Sequence, residues 1–320
     1  MPSQNIPFQQ YIELSKLAGL GLLGEVKRIK TNNNIDRITT DQGIFFCKTY
    51  TKGWYGPPEN NGYCVLHEQG AYSTLAVNGL STPEVVFSDT TADNPLKMPF
   101  LLLRKLEGET ILQKMSYGED IQKLLEITGQ YLRKMHSIVF QYSGYVTSPS
   151  GPENPPMGGW RHRIWESDAL EEQATVRWQK AAHLLGNSLH DHLISQFYEL
   201  RKPLASEYKP PKMIHGDCHM DQFFFLSGKV TGVVDMEVAS AGDPMADLIK
   251  FAIEATSKLS GTQWWKPFFA GYGIEPNFAT FKLRLLCCDY VEFTCQNWKG
   301  TYVQIIERLN NASTWTELFS

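Results

Sequence analysis

The chain lacks long hydrophobic runs, an excess of basic residues and internal repeats. No stretch approaches the roughly 18 apolar residues that a membrane-spanning helix needs, so no membrane span is expected. The formal net charge is −4 over 320 residues, which argues against a nucleic-acid partner because such partners normally require a basic surface. A weakly acidic protein is compatible with a cationic small-molecule substrate.

Paired-cysteine motifs and a targeting signal are also missing. The six cysteines form no C-x-x-C pair and no spacing typical of a disulfide scaffold, so we expect reduced thiols. The opening residues MPSQNIPFQQ contain neither the basic nor the apolar segment of a signal peptide. We therefore expect a cytoplasmic protein. It would be a monomer or a homodimer, and the sequence does not favour one over the other.

Hydrophobic periodicity divides the chain into two parts. Alternating apolar residues predict a meander of three strands between Glu25 and Tyr50, then a helix over 68–77, then two strands at 83–87 and 100–103. Beyond Gly108 the spacing is helical. It predicts helices over 121–136, 168–185, 189–204, 245–257, 262–271, 278–297 and 301–310. The prediction is an α+β protein with a small antiparallel-sheet lobe over 1–104 and a larger helical lobe over 105–320.

Two carboxylates stand at the ends of two short apolar runs. Asp217 follows 214–216, Asp235 follows 232–234, and a tight turn at 227–229 lies between the two runs. Phosphoryl transfer uses one aspartate to accept the proton of the attacking hydroxyl and another to hold the magnesium ion on the nucleotide phosphates. His-Gly-Asp alone is a common turn sequence. The doublet, by contrast, favours an active or formerly active phosphotransferase.

Lys48 and Glu68 are candidates for a phosphate-binding pair. Lys48 lies within the apolar strand 44–50, where an unpaired charge is costly, and Glu68 opens the following helix. Taken singly, each has a simpler explanation: an edge-strand lysine facing water, and a first-turn glutamate stabilised by the helix dipole. Their order ahead of Asp217 and Asp235 favours the pair.

These segments together resemble the aminoglycoside phosphotransferase and choline kinase-like family, which has the protein-kinase-like fold. The matching stretches cover both predicted lobes: 45–48, 68–72, 100–103, 107–108, 132–136, 214–217, 232–237, 242–244 and Asp247. The Gly-Asp-Pro-x-x-Asp segment favours the antibiotic-kinase branch. No Asp-Phe-Gly or Ala-Pro-Glu segment is recognisable, which disfavours a protein kinase.

The resemblance implies roles for individual residues. Asp217 would be the catalytic base, Asp235 a magnesium ligand, and Lys48 with Glu68 the phosphate-binding pair. ATP would be the donor and Mg²⁺ the metal. The remaining implied roles are adenine contacts and support of the catalytic loop. Leu103, Arg104 and Lys105 would lie beside the adenine, His215 would support the loop, and Asp243 and Asp247 would cap a helix and anchor the loop.

The position five residues after Asp217 departs from the family pattern. Gln222 stands where the family usually has Asn, so the same amide oxygen is carried one methylene further out. Magnesium tolerates little displacement from octahedral geometry. Either Gln222 holds the metal after a small adjustment, or the protein is a pseudokinase that binds nucleotide without turnover and acts as a scaffold or sensor.

The phosphate loop has two candidates. Residues 19–26 spell the glycine-rich loop pattern of protein kinases, but two strand-like runs separate them from Lys48, so this context is wrong. The turn at 31–34 lies between the first two strands, and its asparagines tolerate left-handed backbone and offer donors to a phosphate. We therefore predict that Asn33 and Asn34 contact the phosphates.

Substrate recognition is expected from the helical lobe. In antibiotic kinases acidic side chains of late helices bind the amino groups of the substrate, and the candidates here are Glu237, Asp289 and Glu292, with His219 near the acceptor hydroxyl. Adjacent Trp264 and Trp265 are not expected to both face inward, so one would line a cleft or a partner surface. The predicted acceptor is a hydroxyl of an aminoglycoside-like antibiotic or of an amino sugar or amino alcohol.

Overall fold

A computed structural model of the chain describes residues 6–30, 34–50, 61–152, 186–206, 210–259, 261–286 and 301–319. Its first part is an antiparallel five-stranded sheet with the strand order β1-β2-β3-β5-β4. The strands are β1 (Leu23–Lys30), β2 (Ile35–Thr40), β3 (Gly43–Thr49), β4 (Val85–Asp89) and β5 (Phe100–Arg104). The predicted meander of three strands, followed by two more strands after a helix, is confirmed.

Two helices accompany this sheet. Helix α1 (Phe8–Leu17) precedes β1 and was not predicted; its Tyr11 and Leu14 are buried against Phe45 and other apolar residues of the sheet. Helix α2 (Asn61–Val77) lies between β3 and β4 and begins before the predicted start at Glu68.

Strand β3 separates its side chains between two environments, because successive residues of a strand point to opposite faces. Phe45 and Cys47 are buried in the core beneath α1. Phe46 and Lys48 point to the other face and line a cleft. The alternation of this strand therefore decides that the lysine faces the cleft.

The rest of the described chain is mainly helical. Its helices are α3 (Ile111–Ser116), α4 (Ile121–Met135), α5 (Asn187–Ser206), α6 (Met245–Lys258), α7 (Trp265–Tyr272), α8 (Phe278–Arg284), α9 (Thr301–Asn311) and α10 (Trp315–Leu318). The described residues include no helix with the length and apolar character needed to span a membrane.

Two small sheets support these helices. One has the strand order β11-β10-β6, and the other the order β8-β7-β12-β9. Their strands are β6 (Glu109–Thr110), β7 (Gly144–Ser148), β8 (Gly151–Pro152), β9 (Lys212–Ile214), β10 (Phe223–Leu226), β11 (Lys229–Val233) and β12 (Ser240–Gly242). The hairpin β10–β11 connects the two predicted carboxylates, as the sequence indicated.

The expectation that one of the adjacent tryptophans faces a cleft is wrong. Trp264 and Trp265 are only 0% and 3% exposed. Trp264 stands just before α7, and the two rings are perpendicular, with 6.3 Å between their centroids. Phe319 packs on both rings, at 4.7 and 5.5 Å, so the C-terminal turn covers them.

Several predicted features lie outside the described residues. They are the helix over 168–185, the distal part of the helix predicted over 278–297, and the site candidates Asn33, Asp289 and Glu292. The division into lobes at residue 104 stays a prediction. Across that division α2 contacts β7, where the His67 Nδ1 lies 2.9 Å from the Val146 carbonyl oxygen.

Candidate active site

A cavity of about 490 Å³ lies between the five-stranded sheet and the hairpin β10–β11. It brings together side chains that are far apart in the sequence, and most of the predicted site residues line it. Those residues are Lys48, Glu68, Leu103, Arg104, Lys105, Asp217, His219, Gln222 and Asp235.

Lys48 and Glu68 form a buried ion pair at the inner end of this cavity. The Lys48 Nζ lies 2.8 Å from the Glu68 Oε2, and the two side chains are 5% and 1% exposed. Two phenols also donate hydrogen bonds to Glu68: Tyr50 to Oε2, and Tyr72 to Oε1 at 3.1 Å. Burial and the Glu68 charge raise the pKa of both phenols, so they remain protonated donors. Glu68 is thus held by three donors.

Two further carboxylates reach the same ammonium group. The Lys48 Nζ lies 2.9 Å from the Asp235 Oδ1 and 2.9 Å from the Glu237 Oε2. Burial alone would lower the pKa of Lys48, but Glu68, Tyr50 and the other two carboxylates outweigh it and raise the pKa well above its usual value. Lys48 is therefore a fixed positive charge.

Asp235 and Glu237 lie at the end of β11, where the backbone turns sharply. Asp235 has a φ of 64°, in the left-handed region that non-glycine residues rarely adopt. This turn directs both carboxylates towards Lys48. Burial raises the pKa of Glu237, Lys48 opposes that effect, and the Asp235 and Glu68 charges raise it further. Glu237, predicted to contact substrate, lies with the Lys48 cluster.

Asp217 stands at the more open part of the cavity, with a side chain 40% exposed. Two cationic groups approach its Oδ1: the His219 Nε2 at 3.3 Å and the Lys250 Nζ at 3.5 Å. The other ring nitrogen of His219 lies 3.6 Å from the Glu254 Oε2. Burial disfavours the imidazolium, but hydrogen bonds and charges from Asp217 and Glu254 outweigh it and raise the pKa of His219 to about 9. His219 is therefore charged at neutral pH.

The backbone around Asp217 is anchored by Asp247 of α6. The Asp247 Oδ2 accepts the His215 N–H at 2.7 Å, and its Oδ1 accepts the Gly216 N–H at 2.8 Å. His136 also reaches Asp247, with 3.1 Å between its Nε2 and Oδ2. The His215 Nε2 donates to the Val234 carbonyl at 2.9 Å and so joins the two strands that carry the acids. The predicted anchor and loop support are confirmed.

Asp243 lies two residues before the helix that provides this anchor. Its Oδ1 accepts the N–H of Met245, the first residue of the helix, at 3.0 Å, although Pro244 occupies the capping position itself. Its Oδ2 binds Arg284 in a buried ion pair.

Gln222 lines the cavity, but its amide oxygen already has a protein partner. The Oε1 accepts the His219 N–H at 2.7 Å, within the short helical turn 220–222. A carbonyl oxygen has two lone pairs, so this bond is compatible with a metal on the other. The role of Gln222 as a metal ligand stays a prediction.

Asn34 lies in the turn after β1, whereas Arg104 and Lys105 line the cavity at the end of β5. Asn34 has a φ of 38°, the left-handed geometry expected for the turn, and its Oδ1 accepts a hydrogen bond from the Arg28 Nη1 at 2.9 Å. The Arg104 guanidinium lies over the Phe45 ring at 4.9 Å, and the Lys105 N–H donates to the Ile44 carbonyl at 2.9 Å. Their nucleotide contacts stay predictions.

The glycine pattern at 19–24 precedes the sheet or stands at the start of β1. It is therefore outside the turn between β1 and β2. This agrees with the prediction that these glycines do not form the phosphate loop.

Four residues of this site were not predicted from the sequence: Tyr50, Tyr72, Lys250 and Glu254. A signal was present for three of them. Tyr72 follows Glu68 by one helical turn, and Lys250 and Glu254 follow Asp247 at spacings that place all three on one face of a helix. The Tyr50 contact depends on where β3 ends and has no local signal.

The donor chemistry around Asp235 fits a magnesium ion. No three His, Cys, Asp or Glu side chains of the described residues are grouped so that they could hold a metal. Magnesium on nucleotides, however, is usually bound by one or two carboxylates together with phosphates and water. The Asp235 carboxylate and the Gln222 amide oxygen are hard oxygen donors of that kind.

Solved structures with the same fold include aminoglycoside phosphotransferases and a choline/ethanolamine kinase family protein. An APH(2")-IIa in a ternary complex with streptomycin and ATP has 15% identity and a TM-score of 0.58, with 98% of this chain and 99% of that chain covered. The ADP-bound aminoglycoside phosphotransferase APH(2'')-Ib has 16% identity, a TM-score of 0.57, and coverages of 95% and 97%. A choline/ethanolamine kinase family protein from Mesorhizobium loti has 16% identity, a TM-score of 0.59, and coverages of 92% and 91%. At such identities the likeness shows the protein-kinase-like fold.

Comparison of the sequence with family profiles shows the family to which the chain belongs. No curated protein sequence matches the chain. The sequence profile of the phosphotransferase enzyme family (APH) matches residues 31–286, which span both the Lys48–Glu68 pair and the loop that carries Asp217. The chain belongs to the phosphotransferase enzyme family.

Proposed function

We propose that this protein transfers the γ-phosphoryl group of ATP to a hydroxyl of a small molecule. The observation that carries the proposal is the placement of Asp217 and the Lys48–Glu68 pair in one cavity. Phosphoryl transfer depends mostly on positioning and charge neutralisation, and these two features supply both.

Each end of the cavity has a distinct part in this reaction. Lys48 binds the phosphates of ATP and is held by Glu68, which also accepts hydrogen bonds from Tyr50 and Tyr72. Leu103, Arg104 and Lys105 contact the adenine. Asn33 and Asn34 contact the phosphates. Asp217 orients the acceptor hydroxyl and accepts its proton.

Asp235 and Gln222 would hold a magnesium ion. When bound, the ion neutralises charge on the nucleotide phosphates. The Asp235 carboxylate is aimed into the cavity by its left-handed backbone, which supports this assignment.

The acceptor is proposed to be an aminoglycoside-like antibiotic, an amino sugar or an amino alcohol. The neighbour solved with streptomycin and ATP and the choline/ethanolamine kinase family protein support this range. Glu237, Asp289 and Glu292 are the proposed contacts for the amino groups, with His219 beside the reacting hydroxyl.

Release of ADP from ATP and magnesium tests the proposal. We would screen aminoglycosides, macrolides, nucleosides, choline-like amines and amino sugars, with Asp217→Asn in parallel and the exposed Asp191→Asn as a matched control. Turnover with one class, lost in Asp217→Asn alone, is the expected result. Nucleotide binding without turnover of any acceptor, and without slow hydrolysis of ATP by water, would favour the pseudokinase. An absence of nucleotide binding would overturn both functions.

A further inference from the structure

One face of helix α6 contacts the catalytic loop along its length. Asp247, Lys250 and Glu254 are spaced three and four residues apart, which places them on the same side of the helix. Asp247 accepts the N–H groups of His215 and Gly216, Lys250 lies beside Asp217, and Glu254 accepts the Met220 N–H. Successive residues of this helix face therefore contact successive parts of the loop.

Lys250 is the cation on this face that lies beside Asp217. Its Nζ lies 3.5 Å from the Asp217 Oδ1, and its side chain is 16% exposed, so it is neither deeply buried nor on the open surface. Among the described residues Asp217 is the acid in ion-pair contact with it. His219, the other cation at Asp217, is also paired with Glu254.

The reaction creates a need for positive charge at this point. In phosphoryl transfer the three equatorial oxygens of the moving group approach the carboxylate that receives the acceptor proton. Lys48 lies on the donor side, where it is paired with Glu68, Asp235 and Glu237. A cation beside Asp217 would stabilise the group as it arrives on the acceptor side.

We propose that Lys250 binds the transferring phosphoryl group and is a further catalytic residue. This inference rests on the proposed function. In the step, the acceptor oxygen forms a bond to the γ-phosphorus and the bond from that phosphorus to the β–γ bridging oxygen breaks. ADP leaves with that oxygen, the hydroxyl proton passes to Asp217, and the Lys250 ammonium donates to an equatorial oxygen without changing its own protonation.

A transition-state mimic tests this role without knowledge of the acceptor. Calorimetry would compare the affinity for ADP and magnesium with and without tetrafluoroaluminate, which imitates the moving phosphoryl group. Lys250→Met keeps the approximate length of the side chain and removes its charge, and Lys250→Arg keeps the charge. Lys266→Met, at an exposed position of α7, is the control. Lys250→Gln replaces Lys250→Met if the latter does not fold.

The expected result is selective. Lys250→Met should bind ADP like the wild type, lose at least about tenfold of the tightening by tetrafluoroaluminate, and hydrolyse ATP about 10²-fold more slowly, with water as acceptor. Lys250→Arg should retain most of the tightening, and Lys266→Met all of it.

Two results would overturn the inference while leaving the proposed function intact. One is full tightening in Lys250→Met, and the other is a wild-type protein that binds ADP but does not respond to tetrafluoroaluminate. Failure of the wild type to bind ADP at all would instead contradict the proposed function itself.

Discussion

Gly70 of α2 lies directly against the backbone of Thr147 in β7. A Cβ atom at Gly70 would stand 2.2 Å from the Thr147 carbonyl carbon, so a larger residue cannot fit without separating the two elements. Thr74 adds a hydrogen bond from its Oγ1 to the Ser148 carbonyl at 3.2 Å. The helix that carries Glu68 is thus docked on the helical part of the protein by close backbone contact.

Substitution Gly70→Ala should therefore weaken both folding and turnover. The clash is with backbone, so we expect a loss of about 1–3 kcal/mol in the free energy of unfolding, typical of overpacking. Displacement of Glu68 from Lys48 should raise the KM for ATP. Denaturant unfolding and steady-state kinetics would measure the two effects. Gly24→Ala is the control, because its added Cβ makes only a 3.4 Å contact; equal behaviour of both variants would contradict the close contact.

Removal of one phenol hydroxyl should loosen the Lys48–Glu68 pair. Tyr50 donates to the same Glu68 oxygen as Lys48, and Tyr72 donates to the other oxygen. Hydrogen bonds to charged groups contribute about 1.5–3 kcal/mol. We expect Tyr50→Phe and Tyr72→Phe to lose stability in that range and to raise the KM for ATP. Tyr142→Phe, at a ring 39% exposed, should change neither quantity.

The substitution Asp247→Asn should displace the catalytic loop. One of its two oxygens becomes an NH₂ group, which cannot accept the N–H of His215 or Gly216. We expect about 1–3 kcal/mol of lost stability and a fall in kcat at unchanged ATP affinity. Thermal unfolding, nucleotide titration and kinetics would check this. The exposed Asp191→Asn is the matched control, and an unchanged kcat in Asp247→Asn would rule out the anchor as a determinant of turnover.

Gln222→Asn tests the unusual residue at the predicted metal position. The shorter side chain brings its oxygen one methylene closer to the backbone and weakens its bond to the His219 N–H. We expect turnover within about tenfold of the wild type and a changed magnesium concentration at half-maximal rate. Magnesium titration at fixed ATP would measure it, with the exposed Gln130→Asn as control. Turnover that appears only in Gln222→Asn would instead indicate that the natural protein is a pseudokinase.

Local patterns were sufficient for the framework of the fold. Alternation of apolar residues predicted the strands around Lys48, and the hairpin between Asp217 and Asp235 followed from two short apolar runs and a turn. These features depend on neighbours in the sequence, and the protein-kinase-like fold was implied by the resemblance of these segments to a known family. Helix α1 was not predicted, although its Tyr11 is buried and donates to Asp36 at 2.6 Å.

Contacts between distant segments could not be predicted in the same way. Phe319, which is remote in sequence, packs on both Trp264 and Trp265 and contributes to their burial. The three carboxylates around Lys48 come from α2 and from the turn after β11, and no periodicity indicates that Glu237 joins them.

The sequence by itself determined the family, the strands around Lys48 and the hairpin between Asp217 and Asp235, because short motifs and periodicity are local properties of the chain. Only the tertiary structure decided which side chains surround each charge. It placed Tyr50 and Tyr72 on Glu68 and Lys250 beside Asp217. Those neighbours are set by the packing of α2 and α6 against the rest of the protein, and packing depends on residues that are remote in sequence but close in space.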